Sequence, residues 1–393
     1  MFTLNFAKVM IKGCKMARNQ ASRELPLDQV EVEQHNMKDK LQLIANSLPH
    51  FEVLGEPQPL SGGLLNFVWR INGQPGSKPM SVIAKWAPPR IATLPEVRLD
   101  PDRLRIEASA LAEFGTGGLL SELSSEGVRP PCLIKFLSDL NLLIMEDVCD
   151  CHDLGKWIKS THANKESKQI GVMIGNFIGR LHRITARQPN MQIKFNNPNI
   201  QRTRLDFQYK NVVHYAEKAN LPHAQKIGEI AVAYGELLQE PGIVLIMGDL
   251  WLPSIFVTTN GLRIIDWELS HFGRPSQDIG HLVAHLWMHQ HRFAEKSTAK
   301  TAKLILGGFL AAYRSALGDS FDEVFGLAGV RESAIHFGSE VLTRTVGNFQ
   351  NGYLYEGLPC DHPLIQEAAA CAAKHILDPL EQPTFDGLNW RNT

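Results

Sequence analysis

The apolar pattern of this chain changes once, near Cys149, and this change limits the folds that the chain can adopt. Before it, short apolar runs alternate with turns that contain Gly or Pro, which is typical of antiparallel hairpins. These runs cover residues 51–54, 66–71, 81–86, 132–136 and 140–145, with helical spacing at 39–48 and 103–114. Beyond it, long amphipathic segments predict helices at 170–185, 207–219, 225–238, 280–291, 301–317, 330–345 and 364–377. We therefore predict an α+β fold, with a small antiparallel sheet followed by a larger, mainly helical region.

Length and composition are those of a globular protein with more than one folding unit. The 393 residues are 44% hydrophobic and 21% charged, and 40 Lys and Arg balance 41 Asp and Glu. This balance argues against intrinsic disorder and against a nucleic-acid partner. The longest apolar runs fall well short of the roughly 18 residues that a membrane span requires. We predict no membrane span, and the sequence leaves the oligomeric state open.

We divide the chain into an N-terminal extension at residues 1–36, a first domain at 37–148 and a second domain at 149–393. Only basic charges precede Glu24, so one interpretation of the extension is a mitochondrial presequence and the other is a solvated segment without an address. The six cysteines are scattered, which fits reduced thiols inside a cell. We predict a cytoplasmic protein, with a mitochondrial location as the alternative.

A short β-like insert interrupts the helical half and carries two aspartates. Asp249 follows the apolar run 244–247, and Asp266 ends the run 263–266 after a Thr-Asn-Gly turn at 259–261. We expect both carboxylates to emerge at the same end of one small sheet. Such a pair can accept a proton from a hydroxyl and hold Mg²⁺ on the phosphates of a nucleotide. Each aspartate alone is equally compatible with a turn former or a strand-end cap.

Three motifs resemble a known family. They are GDLWLPS at 248–254, IIDWE at 264–268 and DIG at 278–280. Their spacing is similar to the catalytic core of the aminoglycoside phosphotransferase/choline kinase superfamily, which are small-molecule kinases. The resemblance implies a two-lobed protein-kinase-like fold, ATP and Mg²⁺ as cofactors, and a small-molecule substrate with a hydroxyl group. It also implies that Asp249 is the catalytic base, Asp266 the principal Mg²⁺ ligand and Asp278 a structural acid that braces the catalytic loop.

Looser motifs extend the resemblance towards the N-terminus. The segment LSGGLLNF at 60–67 takes the place of the nucleotide loop, with Gly62 and Gly63 allowing close approach of phosphates. Lys85 ends a strand-like run as the phosphate-binding lysine of the family does, and Glu107 matches its ion-pair partner. In MEDV at 145–148, the resemblance implies that Glu146 and Val148 offer backbone groups to adenine.

Two departures from the family pattern leave an alternative open. Met247 stands where the family usually has His, and Ser254 stands where it usually has Asn. The metal would then be held by Asp266 with help from Ser254 or Glu268. We predict an ATP-dependent small-molecule kinase that phosphorylates a hydroxyl group. The alternative is a catalytically weak pseudokinase or nucleotide-binding scaffold.

Two further features concern the substrate and a rival metal. Ser254, the DWE motif and RTVG at 344–347 resemble 5-methylthioribose kinase, which implies that Arg344 binds substrate. The competing interpretation is a surface arginine paired with Glu340 one turn earlier. Separately, histidines recur every four residues at 281, 285 and 289 on one helix face. They form either a partly buried packing face or a zinc site.

Overall fold

The computed structural model of the protein describes residues 27–60, 65–92, 94–125, 127–148, 151–160 and 164–392. The chain divides into two compact units. The first runs to Ser121 and resumes at Pro130–Asp150, and the second comprises Glu122–Arg129 and Cys151–Thr393. None of the helices in the described part of the chain combines the length and apolar character that a membrane crossing requires.

The α-helices of the described residues lie mostly in the second unit. They are α1 Leu27–Asn46, α2 Arg103–Phe114, α3 Leu154–Trp157, α4 Asn164–Thr185, α5 Pro189–Lys194, α6 Pro198–Phe207, α7 Val212–Lys218, α8 Ala224–Leu237, α9 Ser276–Arg292, α10 Ser297–Leu317, α11 Phe321–Val324, α12 Gly326–Thr345 and α13 Pro363–Leu377. The strands are β1 Gln58–Pro59, β2 Phe67–Asn72, β3 Ser81–Trp86, β4 Arg90–Ile91, β5 Leu94–Arg98, β6 Val128–Arg129, β7 Leu133–Leu137, β8 Leu142–Glu146, β9 His152–Asp153, β10 Val244–Ile246, β11 Ile255–Thr258, β12 Gly261–Ile264 and β13 His271–Gly273.

The first unit is built on an antiparallel sheet in the order β1-β2-β3-β8-β7. Side chains alternate between the two faces of a strand, so Val82, Ala84 and Trp86 of β3 share one face. These residues belong to a buried cluster with Leu41 and Ala45, which lie one turn apart on α1. Helix α1 therefore covers that face, while Lys85 of β3 lies on the other.

In the second unit, glycines let the long helices α4 and α10 approach closely. A Cβ atom on Gly171 of α4 would overlap the carbonyl oxygen of Ile305, and one on Gly175 would overlap that of Phe309. Only residues without side chains permit this backbone contact. Helix α12 packs against both α9 and α13.

Two small sheets hold the β-like insert, and here one expectation is wrong. Strand β10, which precedes Asp249, pairs antiparallel with β13. Strand β12, which precedes Asp266, pairs with β11 and with β6 in a sheet of order β6-β12-β11-β9. The two aspartates therefore follow strands of different sheets. Strand β13 has only three residues, too few to show an alternating pattern in the sequence.

The α+β class predicted from sequence is confirmed, with an antiparallel sheet in the first unit and mainly helical structure in the second. The helix predicted at residues 207–219 is present only from Val212 to Lys218. The chain breaks after α6 into a 3₁₀ turn at Tyr209–Asn211 before α7 begins. The Asn211 side chain donates to the carbonyl oxygens of Asp206 and Phe207, at 3.0 and 3.1 Å. Such side-chain bonds to the backbone compete with regular helical bonding.

Candidate active site

The loop after β10 is fixed by a buried carboxylate. Asp278, at the start of α9, accepts hydrogen bonds from the backbone N–H groups of Met247 and Gly248, both at 2.9 Å. Gly248 has φ of 85°, and a Cβ atom there would overlap the carbonyl oxygen of Leu269. These are the bracing contacts that the resemblance implied for Asp278. They hold Asp249, the next residue, in a defined backbone position.

The carboxylate of Asp249 is half-buried, and one of its oxygens faces two donors. Its Oδ1 lies 3.3 Å from His281 Nε2 and 3.3 Å from Arg204 Nη2. Burial alone would raise the pKa of Asp249, but the hydrogen bond and charge of His281, and then the charges of Arg204 and Arg344, lower it to about 2. The group is therefore ionised at neutral pH. It can orient a hydroxyl and take its proton as phosphoryl transfer proceeds, rather than beforehand.

Ser254 closes the turn that follows Asp249. Its hydroxyl is buried, donates to the carbonyl oxygen of Trp251 at 2.9 Å and lies 3.4 Å from that of Asp249. The backbone N–H of Ile265 in turn donates to the Ser254 carbonyl at 2.9 Å. Ser254 therefore joins the Asp249 turn to the chain leading to Asp266. Its assignment as a metal ligand stays a prediction.

The predicted metal carboxylates lie directly after β12. Asp266 is half-buried and has a left-handed backbone with φ of 65°, and Glu268 is buried in the short 3₁₀ turn that follows. Their oxygen donors are of the kind that hard divalent cations take. Mg²⁺ in nucleotide sites is usually held by one or two protein carboxylates together with phosphates. The residues present therefore fit a divalent cation that binds with a nucleotide.

In the first unit, the predicted Lys–Glu ion pair is present. Lys85 Nζ on β3 lies 2.8 Å from Glu107 Oε2 on α2, and the side chains are 3% and 1% exposed. Charges this deeply buried need a partner of opposite sign. Gly62 and Gly63, predicted for the nucleotide loop, lie outside the described residues.

The segment after β8 is attached to the sheet of the first unit. Glu146 donates its backbone N–H to the Cys132 carbonyl and accepts the Cys132 N–H through its side chain, both at 2.9 Å. Asp147 accepts from Arg70 Nε at 2.6 Å. Val148 follows, half-buried. The predicted contacts of Glu146 and Val148 with adenine stay predictions.

Arg344 is paired with Glu340, as the competing interpretation expected, but not on the surface. Its Nε donates to Glu340 Oε1 at 2.7 Å, and the side chain is 15% exposed. Its guanidinium carbon lies 4.9 Å from the ring centroid of Trp251 and 5.3 Å from those of Phe349 and Tyr353. The arginine is thus surrounded by aromatic faces, which favour a cation. Its substrate role is not tested by these contacts.

Glu340 is the centre of a buried polar cluster that the sequence did not reveal. Besides Arg344, it accepts from Gln208 Nε2 at 2.7 Å and lies 3.2 Å from His285 Nε2. Burial would raise the pKa of Glu340, but His281, Arg344 and His285 hold it well below its usual range. Gln208 and His285 come from segments far from Glu340 in the sequence, so no local sequence pattern predicts their contacts with it. Arg204, which contacts Asp249, was missed for the same reason.

The histidine face of α9 is buried, and two of its members approach Glu340. Among the described residues, the ligand atoms of His281, His285 and Glu340 lie within 4.8 Å of one another. His289, the third residue of the predicted face, instead directs Nδ1 to the His285 carbonyl at 2.9 Å. Both ring nitrogens of His285 face protein groups, Tyr353 Oη at 2.6 Å and Glu340. Burial lowers the pKa of His285 to about 3.

Comparison with known proteins identifies the class of this site. Residues 144–330 match the family described as phosphotransferase enzyme family, APH. This stretch contains Asp249, Asp266 and Asp278. The resemblance inferred from the motifs is confirmed by this match.

Individual relatives are also small-molecule kinases by name. The chain is 29% identical to 4-hydroxytryptamine kinase from Psilocybe cyanescens, over 57% of this chain and 65% of the relative. It is 24% identical to methylthioribose kinase from Cronobacter sakazakii, over 60% of each. The chain therefore spans less than two thirds of the length of either relative. Among solved structures, it resembles choline kinase from Cryptosporidium parvum with a TM-score of 0.48 and 14% identity, covering 91% of this chain and 98% of the other.

Proposed function

We propose that the protein is an ATP-dependent kinase that transfers a γ-phosphoryl group to a hydroxyl group of a small molecule. The observation that carries the proposal is the state of Asp249 within the phosphotransferase domain. It is an ionised carboxylate on a loop braced by Asp278, with 26% of its side chain exposed. Such a group can bind a hydroxyl and receive its proton.

The reaction assigns a task to each residue. The substrate oxygen forms a bond to the γ-phosphorus while the bond to the bridging oxygen of ADP breaks, and the hydroxyl proton passes to Asp249. Mg²⁺, when bound, supplies charge neutralisation on the phosphates, and Asp266 with Glu268 or Ser254 would hold it. Lys85, oriented by Glu107, would bind phosphate oxygens. The backbone of Glu146 and Val148, and Gly62 and Gly63, would contact the nucleotide.

For the acceptor we propose a small molecule that Arg344 contacts through hydroxyl or carboxylate oxygens. The guanidinium is held by Glu340 and by the rings of Trp251 and Tyr353, so it is pre-organised as a donor. The names of the relatives suggest two acceptor types, a hydroxylated tryptamine and a thio-sugar. Both belong in the first assay.

The test is a coupled assay of ADP formation with ATP, Mg²⁺ and a panel that includes 4-hydroxytryptamine, methylthioribose, choline and other small alcohols. Asp249→Asn should lower turnover by roughly 10² to 10⁴-fold while ATP affinity stays within about twofold, because only the proton acceptor is lost. Binding of ATP without turnover on any acceptor, and without slow ATP hydrolysis, would instead support the pseudokinase.

A second variant tests the metal. Asp266→Ala should abolish Mg²⁺-dependent binding of ATP in calorimetric titration, because it removes the principal carboxylate proposed for the cation. An affinity for ATP and Mg²⁺ equal to that of wild type would contradict this role of Asp266 and favour Glu268 as the principal metal ligand. Asp322→Ala is the matched control. Asp322 lies on α11 of the same unit, outside the motifs that carry Asp249 and Asp266, so this variant should bind ATP as wild type does.

We place this activity in the cytoplasm, with the mitochondrial matrix as the alternative. The scattered spacing of the six cysteines in the sequence supports a reducing compartment. Microscopy of the protein tagged at its C-terminus would separate the two locations.

A further inference from the structure

A buried chain of four side chains ends at Asp249. Tyr209 Oη lies 2.7 Å from His336 Nδ1, His336 Nε2 lies 3.0 Å from His281 Nδ1, and His281 Nε2 lies 3.3 Å from Asp249 Oδ1. Tyr209 and His336 are fully buried, and His281 is 1% exposed. The members come from the 3₁₀ turn after α6, from α12, from α9 and from the loop after β10.

The proton positions along this chain follow from its two ends. Asp249 is ionised, so it can only accept, and His281 Nε2 must carry the proton that faces Oδ1. Burial lowers the pKa of His336 well below its usual value, so that ring is neutral and has a single N–H. Burial also raises the pKa of Tyr209 well above its usual value, so Tyr209 keeps its proton and can donate it to His336 Nδ1.

If His281 is neutral, His336 donates to it from Nε2 and Tyr209 donates to His336. If His281 is a cation, its Nδ1–H donates to His336 Nε2, and His336 in turn donates from Nδ1 to the Tyr209 hydroxyl oxygen. In both cases His281 Nε2 carries a proton and lies 3.3 Å from Asp249 Oδ1, although this buried nitrogen makes no aligned hydrogen bond among the described residues. Because Nε2 already holds a proton, the chain cannot remove the proton that Asp249 receives from a substrate, and it does not act as a proton relay.

The two carboxylate oxygens of Asp249 are therefore distinct. Oδ1 faces both His281 Nε2 and Arg204 Nη2. Among the residues that the structure describes, none makes a hydrogen bond or ion pair to Oδ2. The Arg204 hydrogen bond and the nearby His281 nitrogen both lie on the Oδ1 side of the carboxylate, which leaves Oδ2 for an incoming hydroxyl.

We propose that His281 is a positioning residue for Asp249, and that its Nε2–H, 3.3 Å from Oδ1 but not aligned on it without substrate, closes on Oδ1 when Oδ2 meets the substrate hydroxyl. This inference rests on the proposed kinase function, because it requires Asp249 to act on a hydroxyl. The inference assigns His281 a role that differs from both earlier interpretations of the histidine face, which were packing and zinc binding.

A pair of substitutions tests the donor. In His281→Gln the amide nitrogen can reach the place of Nε2 and donate to Oδ1, so kcat should stay within about threefold of wild type. His281→Leu keeps the volume but has no donor, and kcat should fall by about 30-fold or more while the KM for ATP stays within about twofold. Equal losses in both variants, or wild-type kcat in His281→Leu, would overturn the proposal. His289→Gln is the control and should keep wild-type kcat, because His289 is a buried histidine of the same helix whose Nδ1 faces the His285 carbonyl rather than Asp249.

A second measurement does not depend on activity. Long-range ¹⁵N–¹H spectra of ¹⁵N-histidine protein, assigned with His281→Gln, should show a proton on Nε2 of His281 at neutral pH. A ring protonated only on Nδ1 would refute the inference even if the kinase is active. An Nε2–H signal in a protein that phosphorylates no acceptor would refute the proposed function and leave the protonation of Nε2 established.

Discussion

The two units hold their buried charges in different ways. In the first, Lys85 and Glu107 form an ion pair between a strand and the next long helix, 22 residues apart in sequence. In the second, Glu340 is shared by Arg344, His285 and Gln208, and the cluster reaches Asp249 through His281. The first contact joins two elements that are close in sequence, whereas the second joins segments that are far apart in it.

The largest expected effect is on the pair. Lys85→Met should lower the free energy of unfolding by about 3–5 kcal/mol, because it removes the ammonium group that lies 2.8 Å from the buried Glu107 carboxylate. The measurement is urea unfolding followed by circular dichroism. Lys85→Met combined with Glu107→Leu should recover most of the loss but no kinase activity, because two apolar residues satisfy each other without binding phosphate. If the double variant is no more stable than Lys85→Met alone, the loss of stability does not come from the interaction between Lys85 and Glu107.

The next effect is a loss of folding stability in acid, which the buried cluster around Glu340 should show because it contains His285. The pKa of His285 is lowered to about 3 by burial, whereas the ring is ordinary in the unfolded chain. The unfolded state therefore binds more protons between about pH 6.5 and 3, and the stability from the neutral ring is lost as the pH falls through that range. From pH 7 to 5 the loss is about 2 kcal/mol for one such histidine.

Unfolding by urea at pH 7, 6 and 5 measures this loss. His285→Gln should lose about 2 kcal/mol less than wild type between pH 7 and 5, whatever its stability at pH 7. Parallel curves for the two proteins would contradict the neutral, buried state of His285.

The same contrast explains what the sequence could predict. Lys85, Glu107 and Asp278 were found because they occur in a fixed order around short strands and a loop, and their predicted contacts are present. The long amphipathic helices were found from periodicity, with ends a few residues off. Arg204 and the contacts of Glu340 with Gln208 and His285 were missed because they join segments more than 40 residues apart, which a single sequence does not connect.

Errors of the prediction also have physical causes. The helix predicted across residues 207–219 is interrupted where Asn211 bonds to the preceding carbonyls, although its apolar spacing is helical. The expectation of one sheet for both aspartates was wrong because β13, the partner of β10, is too short to be recognised. Roles of Ser254, Glu268 and Val148 stay predictions, since they concern ligands rather than the chain itself.

A smaller effect is expected at Arg344. Arg344→Ala should raise the KM for the acceptor or lower kcat/KM about tenfold, roughly 1.4 kcal/mol of transition-state binding, with the KM for ATP little changed. Glu340 would retain Gln208 and His285, so the stability loss should be smaller than for Lys85→Met. Arg344→Lys keeps the charge but not the two-pronged donor and should recover only part of the loss. Kinetics within twofold of wild type in Arg344→Ala would remove the residue from the acceptor site.

The smallest expected effect concerns zinc. The prediction is that the cluster around Glu340 does not bind this metal. His281, His285 and Glu340 bring three ligand atoms together, which is the number that catalytic zinc sites use. However, Glu340 Oε1 is paired with the permanent charge of Arg344 at 2.7 Å, and both nitrogens of His285 have protein partners. A cation would have to displace these contacts and lie beside a guanidinium, which repels it.

Untagged protein should therefore contain less than about 0.1 zinc per chain, and a chelator should shift the Tm by less than about 1 °C, because no bound metal is linked to folding. His285→Ala should lower the Tm through lost packing with Trp251 and Tyr353 without changing metal content. Near one zinc per chain, lost in that variant, would show that the cluster binds metal and that its contacts describe only the metal-free state.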